Sequence, residues 1–267
     1  MNRAEKALHA LKQMDELTEM DSPVHRLSAL SKLLVTLLFI LITVSFHKYD
    51  LTGVFMMALY PYVLFQLSGI SFRLCIYRMR YAIPLVAMIG IFNPFFDRDP
   101  LLQIAGISIS GGMISFLTLL LKGMLCLCAS FLLVSTAKID DLCAALRRMH
   151  VPSLLVTVFM LTYRYISVLT EEVALMTDAY HLRAPGQKGI AFHAWGSFLG
   201  QLLLRTMDRA QELYAAMLLR GYNGEFPDLQ KNENRTASWI WLITWAVIFL
   251  ALRWLNIPDL IGRMFMR

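Results

Sequence analysis

Five long apolar runs alternate with short polar segments along the chain: Leu27 to Phe46, Leu51 to Ile70, Tyr81 to Phe96, Met113 to Thr136 and Ser238 to Leu255. At about 1.5 Å of rise per residue, roughly 20 residues cover the hydrocarbon core of a bilayer. The pattern therefore predicts an all-α integral membrane protein with about five transmembrane helices. Pro61 interrupts the second run, which a membrane helix tolerates, and the third run is short and holds Pro84 and Pro94. Between the runs, His47–Asp50 reads as a turn. Ser71–Arg80 carries Arg73, Arg78 and Arg80 without an acid and reads as a cytoplasmic loop. Asp97–Pro100 has no basic excess and suits the outside. Ile104 to Ser110 alternates before Gly111-Gly112, predicting a small extracellular hairpin.

The stretch between the fourth run and the last has a different period. Ile139, Leu142, Leu146 and Met149 recur every three or four residues, predicting a short amphipathic helix over Ala137–His150 that Pro152 ends. Val151 to Leu169 is apolar enough to read as a span. A crossing there would export Arg183, Lys188, Arg205, Arg209, Arg220, Lys231 and Arg235. The positive-inside rule therefore places this helix on the cytoplasmic side, in or just below the interface. Its pattern continues through Ile166, Leu169, Val173, Met176 and Tyr180 to Arg183, where Ala184-Pro185-Gly186 breaks it. A second long helix is predicted from about Trp195 to Arg220. Its apolar stripe is Leu199, Leu203, Met207, Ala210, Tyr214 and Met217, and its polar side is Arg205, Asp208, Arg209 and Glu212. The expected division is a cytoplasmic arm (1–26), a four-span membrane domain (27–136), a cytoplasmic domain of long amphipathic helices (137–226), and a linker with the last transmembrane helix (227–267).

Composition sharpens this picture. Hydrophobic residues are 57% of 267 and charged residues 16%, against about a quarter charged in soluble domains. The net charge of +6 lies mostly between the apolar runs. Aromatics do not interleave with Lys and Arg as a nucleic-acid groove requires, so the expected partner is the lipid bilayer and no nucleic acid. Cys75, Cys126, Cys128 and Cys143 are scattered and read as reduced thiols. The acid-rich N-terminus lacks a signal peptide's basic start and apolar core, leaving the first span as the insertion signal. No glycine-rich phosphate loop is present, and the six histidines are scattered without an i,i+4 pair. No catalytic, cofactor or metal site is therefore expected within the chain. Lys122, inside the fourth run, has three readings: a partner within the bundle, a transport pathway, or snorkelling to an interface. A packing or interface role is favoured.

The candidate functional residues stand at the ends of the two long helices. One closes with Leu182-Arg183-Ala184 before Pro-Gly, the other with Leu219-Arg220-Gly221 before Tyr-Asn-Gly. A cation in a last turn is favoured by the helix dipole, by about 0.3–1 kcal/mol. An exposed guanidinium there can also pair bidentately with a carboxylate on a partner. The alternative is simple helix capping, since arginine followed by glycine commonly ends a helix.

Ser22-Pro23-Val24-His25-Arg26-Leu27, Asp140 to Pro152, Tyr163-Arg164-Tyr165 with Glu171-Glu172, Arg183-Ala184, Asp208-Arg209-Ala210 and Ala216–Tyr222 together carry a resemblance. Over nearly its whole length the chain resembles the transmembrane T component of energy-coupling factor (ECF) ABC transporters, in particular the CbiQ-type subunit of cobalt importers. In that family two Ala-Arg-Gly-type tripeptides end the coupling helices and insert into two ATPase subunits. The matching positions are Leu182-Arg183-Ala184 and Leu219-Arg220-Gly221, with Leu for the leading Ala in both and Ala for Gly in the first. The resemblance implies a non-catalytic, multi-pass subunit of the cell (inner) membrane, with its coupling domain cytoplasmic. It implies two ABC ATPase subunits that bind the ATP, and a separate substrate-binding membrane subunit for cobalt or a vitamin. Three other readings remain: a T component shared among vitamin-binding subunits, a conventional ABC permease lining its own pathway, and an intramembrane enzyme. The permease would need polar residues converging from several helices at membrane depth, which are few here, and the enzyme paired His, Asp or Glu at that depth, of which none is evident.

Overall fold

The computed structural model describes residues 13, 16–18, 20, 22–92, 100–104, 107–187, 189–224, 226 and 235–254. In chain order the elements are α1 (Ala29–Ser45), α2 (Leu51–Met56), α3 (Leu59–Ser68), α4 (Phe72–Met79), α5 (Ala82–Gly90), β1 (Pro100–Ile104), β2 (Ile107–Ser110), α6 (Gly111–Thr136), α7 (Ile139–Arg148), α8 (Ser153–Arg183), a 3-10 turn (Phe192–Ala194), α9 (Trp195–Leu219) and α10 (Arg235–Trp254). The chain divides into two compact units. One comprises Leu17–Lys138 with Lys231–Arg267, the other Ile139–Gln230 with Met1–Glu16.

The first unit is a bundle whose helix directions follow from its hydrogen bonds. Its core is an aromatic stack in which Tyr60 meets Phe39, Trp245 and Phe249 at centroid distances of 4.7, 4.8 and 5.3 Å. Near the start of α1, buried Lys32 donates to the Thr136 carbonyl at the end of α6 (2.8 Å) and to the His25 carbonyl (3.2 Å). At the other end of α1, Lys122 donates to the carbonyls of Val44 (3.2 Å) and Phe46 (2.5 Å). Helices α1 and α6 are therefore antiparallel. Helix α10 runs parallel to α1: Ser238 Oγ accepts the Ser28 N–H (2.9 Å), and Arg253 donates to the Ser45 carbonyl (3.1 Å). Each cation meets a helix C-terminus, where carbonyls lack intrahelical partners and the dipole is negative. Lys122 thus meets backbone carbonyls at the end of α1.

The second apolar run is broken into α2 and α3. Pro61 has no N–H for the Met57 carbonyl, which instead accepts from Tyr60 (3.2 Å), and Met57 and Ala58 themselves bond three residues back. This is the tight geometry expected one turn before a proline. Helix α5 lies against α6 at two glycines: a β-carbon on Gly90 would meet Phe116 at 2.8 Å, and one on Gly123 would meet Val86 at 2.7 Å. Small residues of this kind let membrane helices approach closely. The hairpin expected near Ile104–Ser110 is present, with β1 starting earlier, at Pro100. Ser71–Arg80, expected as a loop, forms α4 instead, because Cys75 and Met79 share one helical face and are buried.

Among the described residues, four helical segments are long and apolar enough to cross a membrane: Leu51–Ser68 (α2 with α3 taken together), Gly111–Thr136, Ser153–Arg183 and Thr236–Trp254. Ala29–Ser45 is a shorter apolar helix. In the third run α5 has nine residues, about 13 Å at helical rise, and 93–99 lie outside the described residues. The chain leaves the bundle beside Lys32 at the end of α6 and re-enters it beside Ser28 at the start of α10. Both points lie at the same end of α1.

Candidate functional site

The second unit is built on α7, α8 and α9. Helix α7 buries Leu142, Cys143 and Ala145. Burial, then the Asp140 carboxylate, pushes the Cys143 thiol above its usual range. His150 ends α7 at a φ of 65°, with the Val151 N–H on the Leu146 carbonyl (3.2 Å). Helix α8 runs 31 residues to Arg183, as its periodicity predicts, and α9 runs 25. Arg205 of α9 pairs with Glu172 of α8. Part of the polar side of α9 therefore meets α8, while Leu199, Leu203, Met207 and Tyr214 of the expected stripe are exposed.

Both candidate tips project from this unit. Leu182 is 85% exposed and Leu219 90%, and Arg183 and Arg220 are exposed beside them. Their local structures differ, contrary to the similar endings expected from sequence. Arg220 caps α9. Gly221 follows in the left-handed region (φ 82°), its N–H on the Leu218 carbonyl (3.0 Å), and the Tyr222 N–H reaches the Met217 carbonyl (3.0 Å). This pair of bonds is a Schellman closure. At the other tip Ala184 has φ −128° and its N–H still bonds the Tyr180 carbonyl (3.0 Å). The reversal comes two residues later, in a turn with Pro185 and Gly186 (φ 93°) at its centre, closed by the Gln187 N–H on the Ala184 carbonyl (3.4 Å). Proline followed by a positive-φ glycine is the type II pattern.

Sequence reasoning missed two features here. Tyr180, counted as part of an apolar stripe, holds the loop after α8: its hydroxyl donates to Gln187 Oε1 (2.8 Å) and accepts the Ala191 N–H (3.2 Å). Arg220 also borders a cleft of about 960 Å³ that Arg147 of α7, Arg164 and Tyr165 of α8, Tyr222 and Phe226 line as well. Arg147 donates to the Phe226 carbonyl. Among the described residues three arginines and no carboxylate line this cleft, an arrangement that favours an acidic side chain. The Tyr163-Arg164-Tyr165 motif was visible in the sequence; its approach to Arg220 is a tertiary fact.

Comparison with known proteins adds a second line. Residues 20–232 match the family described as CbiQ, cobalt transport protein. An uncharacterized protein of Methanocaldococcus jannaschii is 28% identical over 201 residues, 71% of this chain and 68% of that protein. The nickel permease LarQ of Lactiplantibacillus plantarum is 31% identical, over 39% of this chain and 37% of its own length. The cobalt transport protein CbiQ of Rhodobacter capsulatus is 34% identical, over 35% of this chain and 38% of its own length. The chain thus matches less than half the length of these last two relatives.

Proposed function

Because the chain belongs to the CbiQ family of cobalt transport proteins, we propose that it is the transmembrane scaffold of an ECF-type importer, coupling ATP hydrolysis by two partner ATPases to uptake through a separate substrate-binding membrane subunit. It is a membrane component of metal transport. In this reading Leu182-Arg183-Ala184 and Leu219-Arg220-Gly221 each enter a groove on one ATPase, the leucine filling an apolar pocket and the guanidinium meeting a carboxylate. Helices α8 and α9, about 46 and 37 Å long at helical rise, carry the ATPase motion as stiff levers. ATP binds the partners, not this chain.

The observation that carries the reading is the projection of two leucine–arginine tips from one unit. The chain leaves and re-enters the bundle at one end of α1. A single crossing by Ser153–Arg183 would bring it back at the other end, so this geometry supports keeping 137–236 on one side. The basic content of that stretch favours the cytoplasmic side of the inner membrane. The transported species in the leading reading is cobalt. The likeness to a nickel permease supports nickel as the second reading.

The test is to express the chain with candidate ATPases and recover the complex from membranes. Capture of ATPases by the wild type and its loss in Arg183→Ala/Arg220→Ala, at equal membrane abundance, is the expected result. Intact capture by the double variant would sink the proposal. Uptake of labelled cobalt against nickel by the assembled importer decides the metal.

A further inference from the structure

Inside the bundle three sulfur atoms form a closed triangle. Cys75 Sγ lies 3.3 Å from Met79 Sδ and 3.8 Å from Cys128 Sγ, and Cys128 Sγ lies 3.5 Å from Met79 Sδ. Cys75 and Met79 are four residues apart on α4 and so stand on one face; Cys128 comes from α6. All three are buried, and Phe65, Ile83, Met124, Leu127 and Phe131 pack around them. The coupling function uses none of these groups.

We propose that Cys75, Met79 and Cys128 form a binding site for copper(I). Thiolate and thioether are soft donors that select copper(I), whereas cobalt(II) and nickel(II) are better served by imidazole and harder ligands, and the triangle contains neither imidazole nor carboxylate. A metal about 2.3 Å from each of three sulfurs in one plane holds them about 4.0 Å apart. The observed triangle needs to open by about 0.2 Å between the two cysteine sulfurs and by about 0.5–0.7 Å on the methionine edges, which the three rotors of methionine permit. On binding, both thiols release their protons to solvent and become thiolate donors, and the thioether gives a lone pair as a neutral donor. No electron is transferred, and the loaded site carries one net negative charge.

The experiment uses the full chain in detergent, reduced and free of oxygen, with copper(I) supplied from its bicinchoninate complex. The expected result is one copper(I) per chain with sulfur neighbours only by X-ray absorption. Cys75→Ser and Cys128→Ser each abolish retention, Met79→Leu weakens it by about tenfold or more, and Cys126→Ser/Cys143→Ser retains it. In wild-type membranes, where no variant needs to fold, silver(I) shields Cys75 and Cys128 from alkylation and leaves Cys126 and Cys143 unchanged. The proposal is overturned if the wild type retains no copper(I), if Cys75→Ser/Cys128→Ser retains it equally, if a Cys75–Cys128 disulfide forms in place of the loaded site, or if cobalt(II) displaces copper(I).

Discussion

The tips of α8 and α9 carry the same Leu-Arg pair on different closures. At α9 the arginine is the capping residue itself, and the reversal begins at the next position, where Gly221 takes φ 82°. At α8 the backbone stays open past Ala184, whose φ of −128° suits any residue, and turns only at Pro185-Gly186. If the two tips dock as proposed, the difference accounts for alanine at one and glycine at the other. Alanine suits 184 because nothing there demands positive φ. At 221 the Schellman bonds do demand it. Arg220 is thereby held against the cleft it shares with Arg147 and Arg164, while Arg183 stands next to a Tyr180-stapled loop.

The comparison can be broken at several points. The largest effect is expected from Arg183→Ala/Arg220→Ala, which removes both forks. Each desolvated pair lost costs about 2–5 kcal/mol, so ATPase capture in a pull-down should fall below detection with membrane insertion intact. If the α9 tip is the more rigidly held, Arg220→Ala alone should weaken capture more than Arg183→Ala. Arg220→Lys should come next. It keeps the charge but not the fork, and its capture should lie closer to that of Arg220→Ala than to wild type; full rescue would reduce the site to simple charge. Gly221→Ala should follow, since a non-glycine residue in the left-handed region costs about 1–2 kcal/mol, a factor of about 5–30 in an equilibrium. Titration of capture against ATPase concentration reads that shift. The smallest effect belongs to Ala184→Gly, expected within about 0.5 kcal/mol. A loss there as large as at Gly221 would mean that the two closures are equivalent in the complex.

Much of this architecture was legible in the sequence because it is written in local periods. The apolar runs, the amphipathic α7, the continuation of α8 to Arg183 and the stop at Gly221 all follow from spacing and breakers. Helix α4 was not legible as a helix, because Arg73, Arg78 and Arg80 dominate a ten-residue segment whose buried face is only Cys75 and Met79. The roles of Lys122 and Cys128 depend on partners 76 and 53 residues away, and a single sequence holds no record of such pairings. The tips were found as a motif, whereas their unequal closures depend on dihedral angles that Leu-Arg-Ala and Leu-Arg-Gly do not announce. Arg147 and Arg164 were each visible as cations; the cleft that unites them with Arg220 exists only once α7, α8 and α9 have packed.

Helix α10 closes both ends of α1. Ser238 takes the N–H of Ser28 and Arg253 takes the carbonyl of Ser45, partners separated by 210 and 208 residues of chain. In the order of synthesis α10 follows α1 by about 200 residues, so the Ser28 N–H and the Ser45 carbonyl gain these two partners only after α10 has been made. A nascent chain stopped after α9 has its membrane bundle open along one side of its first helix, with Phe39 and Tyr60 lacking the Trp245 and Phe249 rings. Completion of this side of the bundle therefore waits for the last helix.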